Sequence, residues 1–224
     1  MERVAIEKKV LNENDRLAHA LRRQFAEYGT LVLNCISSPG SGKTSLLERT
    51  LERFAPETRV AVVTGDIQTD HDARRLARFG FPVRQITTAG ACHLDARMVE
   101  KSLQGWDLSR LDILLIENVG NLVCPTSYDL GEEAKVVILS VTEGDDKPLK
   151  YPGAFAKSQL MVLNKVDLLP YVTFDMDAAR RNARSIHSNI GIIETSCVTG
   201  AGLDAWGQWI ADRIHARSLP GSPA

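Results

Sequence analysis

The sequence predicts an α/β domain, a mostly parallel sheet with helices on both faces, preceded by an N-terminal helical extension. Two observations carry this. Apolar runs recur that are hydrophobic throughout rather than alternating, as strands covered on both sides require. Helical patterns separate most of those runs, the rhythm of strand–helix–strand crossovers. At 224 residues the chain is long enough for one medium domain with a core of ordinary size.

The elements follow in order. Residues 1–28 read as an amphipathic helix, with Leu17, Leu21 and Phe25 four apart and charges between them. The β-rich run "TLVLNCI" then leads into "SSPGSGKT" and a second helix, "SLLERTLERFA". Further strand-like runs are "RVAVVT" (59–64), "LDILLIEN" (111–118), "AKVVILSVT" (134–142), "SQLMVLNK" (158–165) and "GIIETS" (191–196). "DHDARRLARFG", "DARMVEKSLQ" and "DMDAARRNARSIHS" carry helical patterns between them. There is no internal repeat and no low-complexity segment. The expected division is a helical extension over 1–28, the α/β domain over 29–216 and a disordered tail over 217–224, ending "SLPGSPA".

Composition excludes several classes. A formal net charge of −1, with no basic run or aromatic platform, gives no nucleic-acid footprint. The opening "MERVAIEKKVLNEN" lacks a signal peptide's apolar core, and no stretch approaches the ~18 apolar residues of a membrane span. Four cysteines (Cys35, Cys92, Cys124, Cys197) in a chain of this size do not suggest a disulfide framework, so a reducing cytoplasm is the expected setting.

"SSPGSGKT" follows a strand and opens a helix, the context that a phosphate-binding P-loop requires. Gly40, Ser41 and Gly42 would turn backbone N–H groups towards phosphate oxygens, where the helix N-terminus adds partial positive charge. Lys43 would reach the β- and γ-phosphates, the Thr44 hydroxyl would bind Mg²⁺, and Ser45 closes the nucleotide-binding stretch. One position departs from G-x-x-x-x-G-K-S/T: Ser37 stands for the first glycine. The fold class is therefore that of the P-loop NTPases.

Base choice rests on Asn164-Lys165-Val166-Asp167, the N-K-x-D pattern at a strand end. A carboxylate at Asp167 can accept two hydrogen bonds from guanine N1–H and the 2-amino group, which adenine lacks, while the Lys165 stem lies over the base. Ser196 and Cys197, in "ETSCVTGAGLDAW", would sit near O6. Asp66 and Glu117 each lie at or just past a strand end, where parallel sheets gather ligands. Glu117 would hold Mg²⁺ directly or through water; Asp66 would either join it or orient the attacking water. Gly120 would offer its N–H to the γ-phosphate. The plain alternative for both acids is a solvated turn carboxylate. No arginine finger is evident, so unassisted hydrolysis should be slow.

Four residues beyond Gly120 comes Cys124, and "TAGACHLDARMV" sets Cys92 beside His93. Two thiols and an imidazole suit Zn²⁺ or Ni²⁺, and three ligands leave a position open for transfer. The plain alternative is two buried cysteines and a helix-capping histidine. Cys35 reads as core, Cys197 as packing rather than a metal ligand and His71 as a surface helix residue; Trp106, Trp206 and Trp209 are too scattered for a binding platform, the last two packing inward.

Together "SSPGSGKT", "GDIQTD", "GACHLDARMV", "IENVGNLVCP" and "NKVDLL" resemble the HypB family, the nickel-incorporation GTPases of nickel–iron hydrogenase maturation. The resemblance runs from about Leu11 to Ile214. It implies that Cys92, His93 and Cys124 form a metal site between subunits and that GTP promotes a homodimer across the nucleotides. It also implies that a HypA-type nickel/zinc metallochaperone is the partner and that the hydrogenase large-subunit precursor is reached indirectly. Lys147, in "EGDDKPLKYP", would belong to a loop that reaches the other subunit's nucleotide. The N-terminal cysteine motif and histidine-rich stretch of some members are not seen: the first cysteine is Cys35, and no two histidines are adjacent. Three alternatives stand beside this reading. One is a urease-type (UreG) GTPase, whose Cys-Pro-His is here Cys124-Pro125-Thr126. The others are a metal-buffering module and a regulatory GTPase that transfers no metal.

Overall fold

Seven strands form one sheet in the order β3-β2-β4-β1-β5-β6-β7, and every neighbouring pair is parallel. In the computed structural model, which describes the backbone of residues 2–218, the strands are β1 (Leu31–Ser37), β2 (Val60–Asp66), β3 (Val83–Thr87), β4 (Ile113–Gly120), β5 (Ala134–Ser140), β6 (Leu160–Asn164) and β7 (Gly191–Thr195). The helices are α1 (Glu2–Tyr28), α2 (Lys43–Leu51), α3 (His71–Ala77), α4 (Ala96–Ser102), α5 (Cys124–Ser127), α6 (Lys147–Lys150), α7 (Pro152–Ala156), α8 (Met176–Ile186) and α9 (Leu203–Ser218). Short 3₁₀ turns cover Leu108–Arg110 and Val166–Tyr171. No helix among the described residues is long and apolar enough to cross a membrane.

Six of the seven strands coincide with the apolar runs of the sequence. The exception is β3, "VRQIT", an edge strand with no buried residue, in which Arg84, Gln85 and Thr87 interrupt the apolar positions. Strand β1 shows why the others do. Leu31, Leu33 and Cys35 enter the core cluster under α2 and α9, whereas Val32 packs with α1 and α4 on the opposite face and Ile36 joins the β5–β6 cluster. Both faces are covered, so both must be apolar.

The N-terminal helix is part of this packing: Ala18, Leu21 and Phe25 are buried against the sheet, as a stripe at helical spacing should be. At the other end α9 runs to Ser218, so Arg217 and Ser218 are helical rather than disordered. Arg217 pairs with Glu133 and donates to the Thr30 carbonyl, contacts that no local sequence pattern announces. The rest of the expected tail, 219–224, lies outside the described residues. Trp206 of α9 is fully buried and donates its indole N–H to Thr50 Oγ1 at 2.8 Å. Replacing it with alanine is expected to cost about 3–5 kcal/mol through cavity formation. The Thr50 hydroxyl keeps its bond to the Leu46 carbonyl. A lowered urea midpoint with unchanged slope is the readout.

Strand order sets the site. From β1, the middle strand, the chain crosses to β2 and β3, returns to insert β4 beside β1, then moves to β5 on the other side. The order reverses at β1, and ligands of open parallel sheets bind at the carboxyl ends around such a point. Register brings Cys35 opposite Glu117, and a bulge then sets Ser37 opposite Gly120.

Candidate nucleotide and metal site

The turn between β1 and α2 is held by glycine geometry. Gly42 has φ 95°, and a Cβ there would lie 2.5 Å from Asn164 Nδ2, so only glycine fits. Ser37 needs no such freedom, because Ala89 and Lys165 alone among described non-glycine residues have positive φ. Its hydroxyl instead accepts from Lys43 Nζ at 2.8 Å. The departure from the usual glycine thus supplies an acceptor for the loop lysine.

A cavity of about 530 Å³ opens over this turn, lined by Gly40, Gly42, Lys43, Thr44, Ser45, Asp66, Glu117, Gly120 and Lys165. Nine of the residues nominated from sequence therefore share one cavity. Lys43 is buried, which pulls its pKa down, while Glu117 opposes the shift. Burial drives the Glu117 carboxyl up to about 7, against the pull of Lys43 and the hydrogen bond from Thr44. Thr44 Oγ1 donates to Glu117 Oε1 at 2.7 Å. The second oxygen, Oε2, is buried without a hydrogen-bond partner. A buried carboxylate oxygen left unpaired is costly, and a divalent cation shared with Thr44 would satisfy it. Asp66 is the turn carboxylate of the plain alternative as well as a cavity residue. Burial alone would raise its pKa, but bonds from the Thr69 and Gln68 N–H groups and the Thr69 hydroxyl hold it below the usual range.

The other nominated residues cluster beside the cavity. Ser41 donates its hydroxyl to Glu143 Oε1 at 2.7 Å, and its carbonyl accepts from Asn164 Nδ2 at 2.9 Å. Asn164 Oδ1 accepts from Thr195 at 3.1 Å and faces the Cys197 thiol at 3.7 Å. Asp167 accepts from the Ser196 hydroxyl, which itself accepts from the N–H groups of Val198 and Thr199. Lys165 adopts φ 63° and donates to the Gly40 carbonyl at 2.8 Å. Lys147 Nζ lies 3.2 Å from Glu143 Oε2 of its own loop and 3.3 Å from Ser38 Oγ of the turn after β1. Burial pushes the thiol of half-buried Cys197 up, and burial takes that of Cys35, a core residue, up to about 12.

Two residues were missed. Glu143 ties Ser41, Lys147 and the Ser140 N–H together; burial opposes ionisation, but serine hydroxyls and that N–H bring its pKa below the usual value. Its place just past the end of β5 is the signal that nominated Asp66 and Glu117, and it could have been found the same way. Arg75 of α3 lines the cavity, donating to Ser45 Oγ at 3.2 Å and to Glu48. A surface-like helical pattern gave no signal for it.

Cys92 and His93, five and six residues beyond β3, meet Cys124, four residues beyond β4, to form the second cluster. Cys92 Sγ lies 2.7 Å from Cys124 Sγ and 4.0 Å from His93 Nδ1. All three ligand atoms fall within 4.8 Å of one another, and no other such trio occurs among the described residues. The three side chains are half-buried and the cysteines are free. His93 stacks on Tyr128 with ring centroids 3.7 Å apart. Burial lowers its pKa against the pull of Asp95, which favours the neutral imidazole that can ligate. Its alternative role is taken elsewhere: Asp95 caps α4, accepting from the Met98 N–H at 2.7 Å. The Cys124 thiol is raised by its hydrogen bond with Cys92 and by burial.

Cys124 also opens α5, four residues after Gly120, whose backbone packs so closely on the phosphate turn that a Cβ would lie 3.2 Å from Pro39 Cα. The family model for the CobW/HypB/UreG nucleotide-binding domain matches residues 31–194. Hydrogenase maturation factor HypB of Azotobacter vinelandii is 51% identical over 216 residues, covering 95% of this chain and 71% of that protein. The chain belongs to the HypB family. Among solved structures, HypB of Archaeoglobus fulgidus superposes with a TM-score of 0.85 at 41% identity, covering 91% of this chain and 99% of that one. HypB of Helicobacter pylori, crystallised in complex with nickel, gives 0.86 at 36% identity, covering 95% and 100%. The HypB fold thus extends over nearly all of the described chain, α1 included.

Proposed function

We infer that this HypB-family chain is a GTPase whose nucleotide state controls a nickel-carrying Cys92–His93–Cys124 cluster during maturation of nickel–iron hydrogenase. The observation that carries it is the short run from Gly120, packed on the phosphate turn, to Cys124, in contact with Cys92. A backbone that follows the terminal phosphate must move the thiol. The nickel in the Helicobacter pylori relative supports nickel as the cargo, with zinc the competitor that the same donors accept.

Water attacks the γ-phosphorus in line; the new O–P bond forms as the bond to the β-phosphate oxygen breaks, and GDP leaves with the electron pair. Lys43 and the N–H groups of Gly40, Ser41 and Gly42 stabilise the spreading charge. Thr44 and Glu117 would hold Mg²⁺, which when bound neutralises charge between the β- and γ-phosphates. Asp66 orients the attacking water or completes that cation's shell. Asn164, Lys165, Asp167, Ser196 and Cys197 frame guanine. Ile67, Val123 and Leu149 are exposed apolar side chains near the cavity, the cluster and Lys147 respectively, and they suit a GTP-dependent homodimer contact. Within that dimer Lys147 would leave Glu143 for the partner's nucleotide. The HypA-type chaperone would load or unload the cluster in the cytoplasm, upstream of the hydrogenase large subunit.

The test is nickel titration with GDP and then a non-hydrolysable GTP analogue, with oligomeric state followed in parallel. Nickel affinity should differ between the two. In the Cys124→Ala protein nickel binding should be lost while nucleotide affinity stays. Equal nickel affinity and assembly with either nucleotide would remove the coupling.

A further inference from the structure

The nickel cluster hangs on two loops, yet one buried polar chain holds both. Asn118 of β4 accepts at Oδ1 from the Leu94 N–H, next to His93, at 3.2 Å, and from the Val119 N–H, next to Gly120, at 2.9 Å. Its Nδ2 donates to Asn34 Oδ1 of β1 at 3.1 Å, and Asn34 Nδ2 donates to Glu132 Oε1 at 3.0 Å. Lys135 reaches the same Oε1 at 3.3 Å from the other side. Lys135 also donates to the carbonyls of Pro125, next to Cys124, and of Tyr128, whose ring stacks on His93. Asn34 and Asn118 are about fully buried, and Glu132 and Lys135 are 8% and 5% exposed.

We propose that Asn34, Asn118, Glu132 and Lys135 are positioning residues that set the spacing of Cys92 and His93 against Cys124 and transmit the position of the Gly120 turn to them. This rests on the reading of those three residues as nickel ligands. Three features argue for it. The chain starts at the backbone beside one ligand loop and ends at the backbone beside the other, so neither loop can shift without breaking a buried bond. Buried polar chains act as units, and a half-satisfied one is worse than none, which makes the arrangement switch rather than drift. Its polarity is one-way, since every amide donates towards the Glu132 carboxylate. Asn118 is the junction, because one oxygen serves both the nickel loop and the strand end that meets the phosphate turn.

The polarity supplies the test. Asn118→Asp keeps the acceptor for Leu94 and Val119 but sets oxygen against Asn34 Oδ1. If Asn34 flips, its own oxygen faces Glu132. Asn118→Asp is expected to weaken nickel binding about 10- to 100-fold, the usual effect of losing an outer partner of a ligand. The nickel–thiolate charge-transfer spectrum should change, the GDP-versus-analogue difference in nickel affinity should vanish, and guanine-nucleotide affinity should not. Lys135→Met cuts the chain at its other end and should give the same loss, which keeps the test open if Asn118→Asp does not fold. Folded variants with the nickel affinity and spectrum of the unaltered protein overturn the proposal. Absence of nickel binding in the unaltered protein would instead refute the nickel site itself.

Discussion

Asp167→Asn is expected to cost about 10⁴ in preference for GTP and to transfer preference to the xanthine nucleotide. The carboxylate would pair with guanine N1–H and the 2-amino group; an amide turns one of those pairings into donor against donor. Xanthine carries an oxygen where guanine has the amino group, so the Asn amide donates to it. Such a reversal is large because a buried polar edge left unpaired bears its full desolvation cost. The architecture makes the substitution a clean one. Asp167 lies in the 3₁₀ turn after β6 and holds the Ser196 hydroxyl, which an amide oxygen can do equally well. Thermal stability should therefore stay near that of the unaltered protein. Competition binding with guanine and xanthine triphosphates reads the outcome, and a retained guanine preference would mean that the base lies elsewhere.

Lys43→Ala is expected to lower GTP turnover about 10²- to 10³-fold, the usual effect of deleting one charge-stabilising donor. Lys43 is the buried cation of the cavity, held 2.8 Å from Ser37 Oγ. It is also the largest influence opposing the raised pKa of Glu117. Its removal should therefore push the Glu117 carboxyl further up, weakening Mg²⁺ and nucleotide together. Single-turnover hydrolysis at saturating nucleotide separates the chemical step from binding. Turnover within about threefold of the unaltered protein would mean that the backbone N–H groups carry the stabilisation without Lys43.

Much of the nucleotide half was legible. Lys43 and Thr44 had to open a helix after a strand, and β1 and α2 do place them so. Asp66 and Glu117 were marked by position at strand ends, and both line the cavity. The same reasoning reached Gly120 but passed over Glu143, the first of three acidic residues in "EGDD" beyond β5. Arg75 was hidden for another reason: its direction into the cavity depends on how α3 packs against α2, which a helical pattern does not specify. The edge strand β3 lacked a signal because Arg84, Gln85 and Thr87 break up its apolar residues. The helical end at Arg217 and Ser218 depends on Glu133, 84 residues away in the chain.

By itself the sequence determined the α/β class, the phosphate turn, the base motif and the three residues with soft-metal chemistry. Each of these is written in local spacing: a strand before glycines, a carboxylate three residues after an asparagine, a thiol beside an imidazole. Only the tertiary structure decided that Cys92 and Cys124, 32 positions apart, face each other, because that requires β4 to insert between β2 and β1 and carry Gly120 to the phosphate turn. It likewise decided that Asn34, Asn118, Glu132 and Lys135 form one chain beneath them. Single polar residues inside apolar runs look alike in sequence, and burial beside one another is what turns them into a connected set.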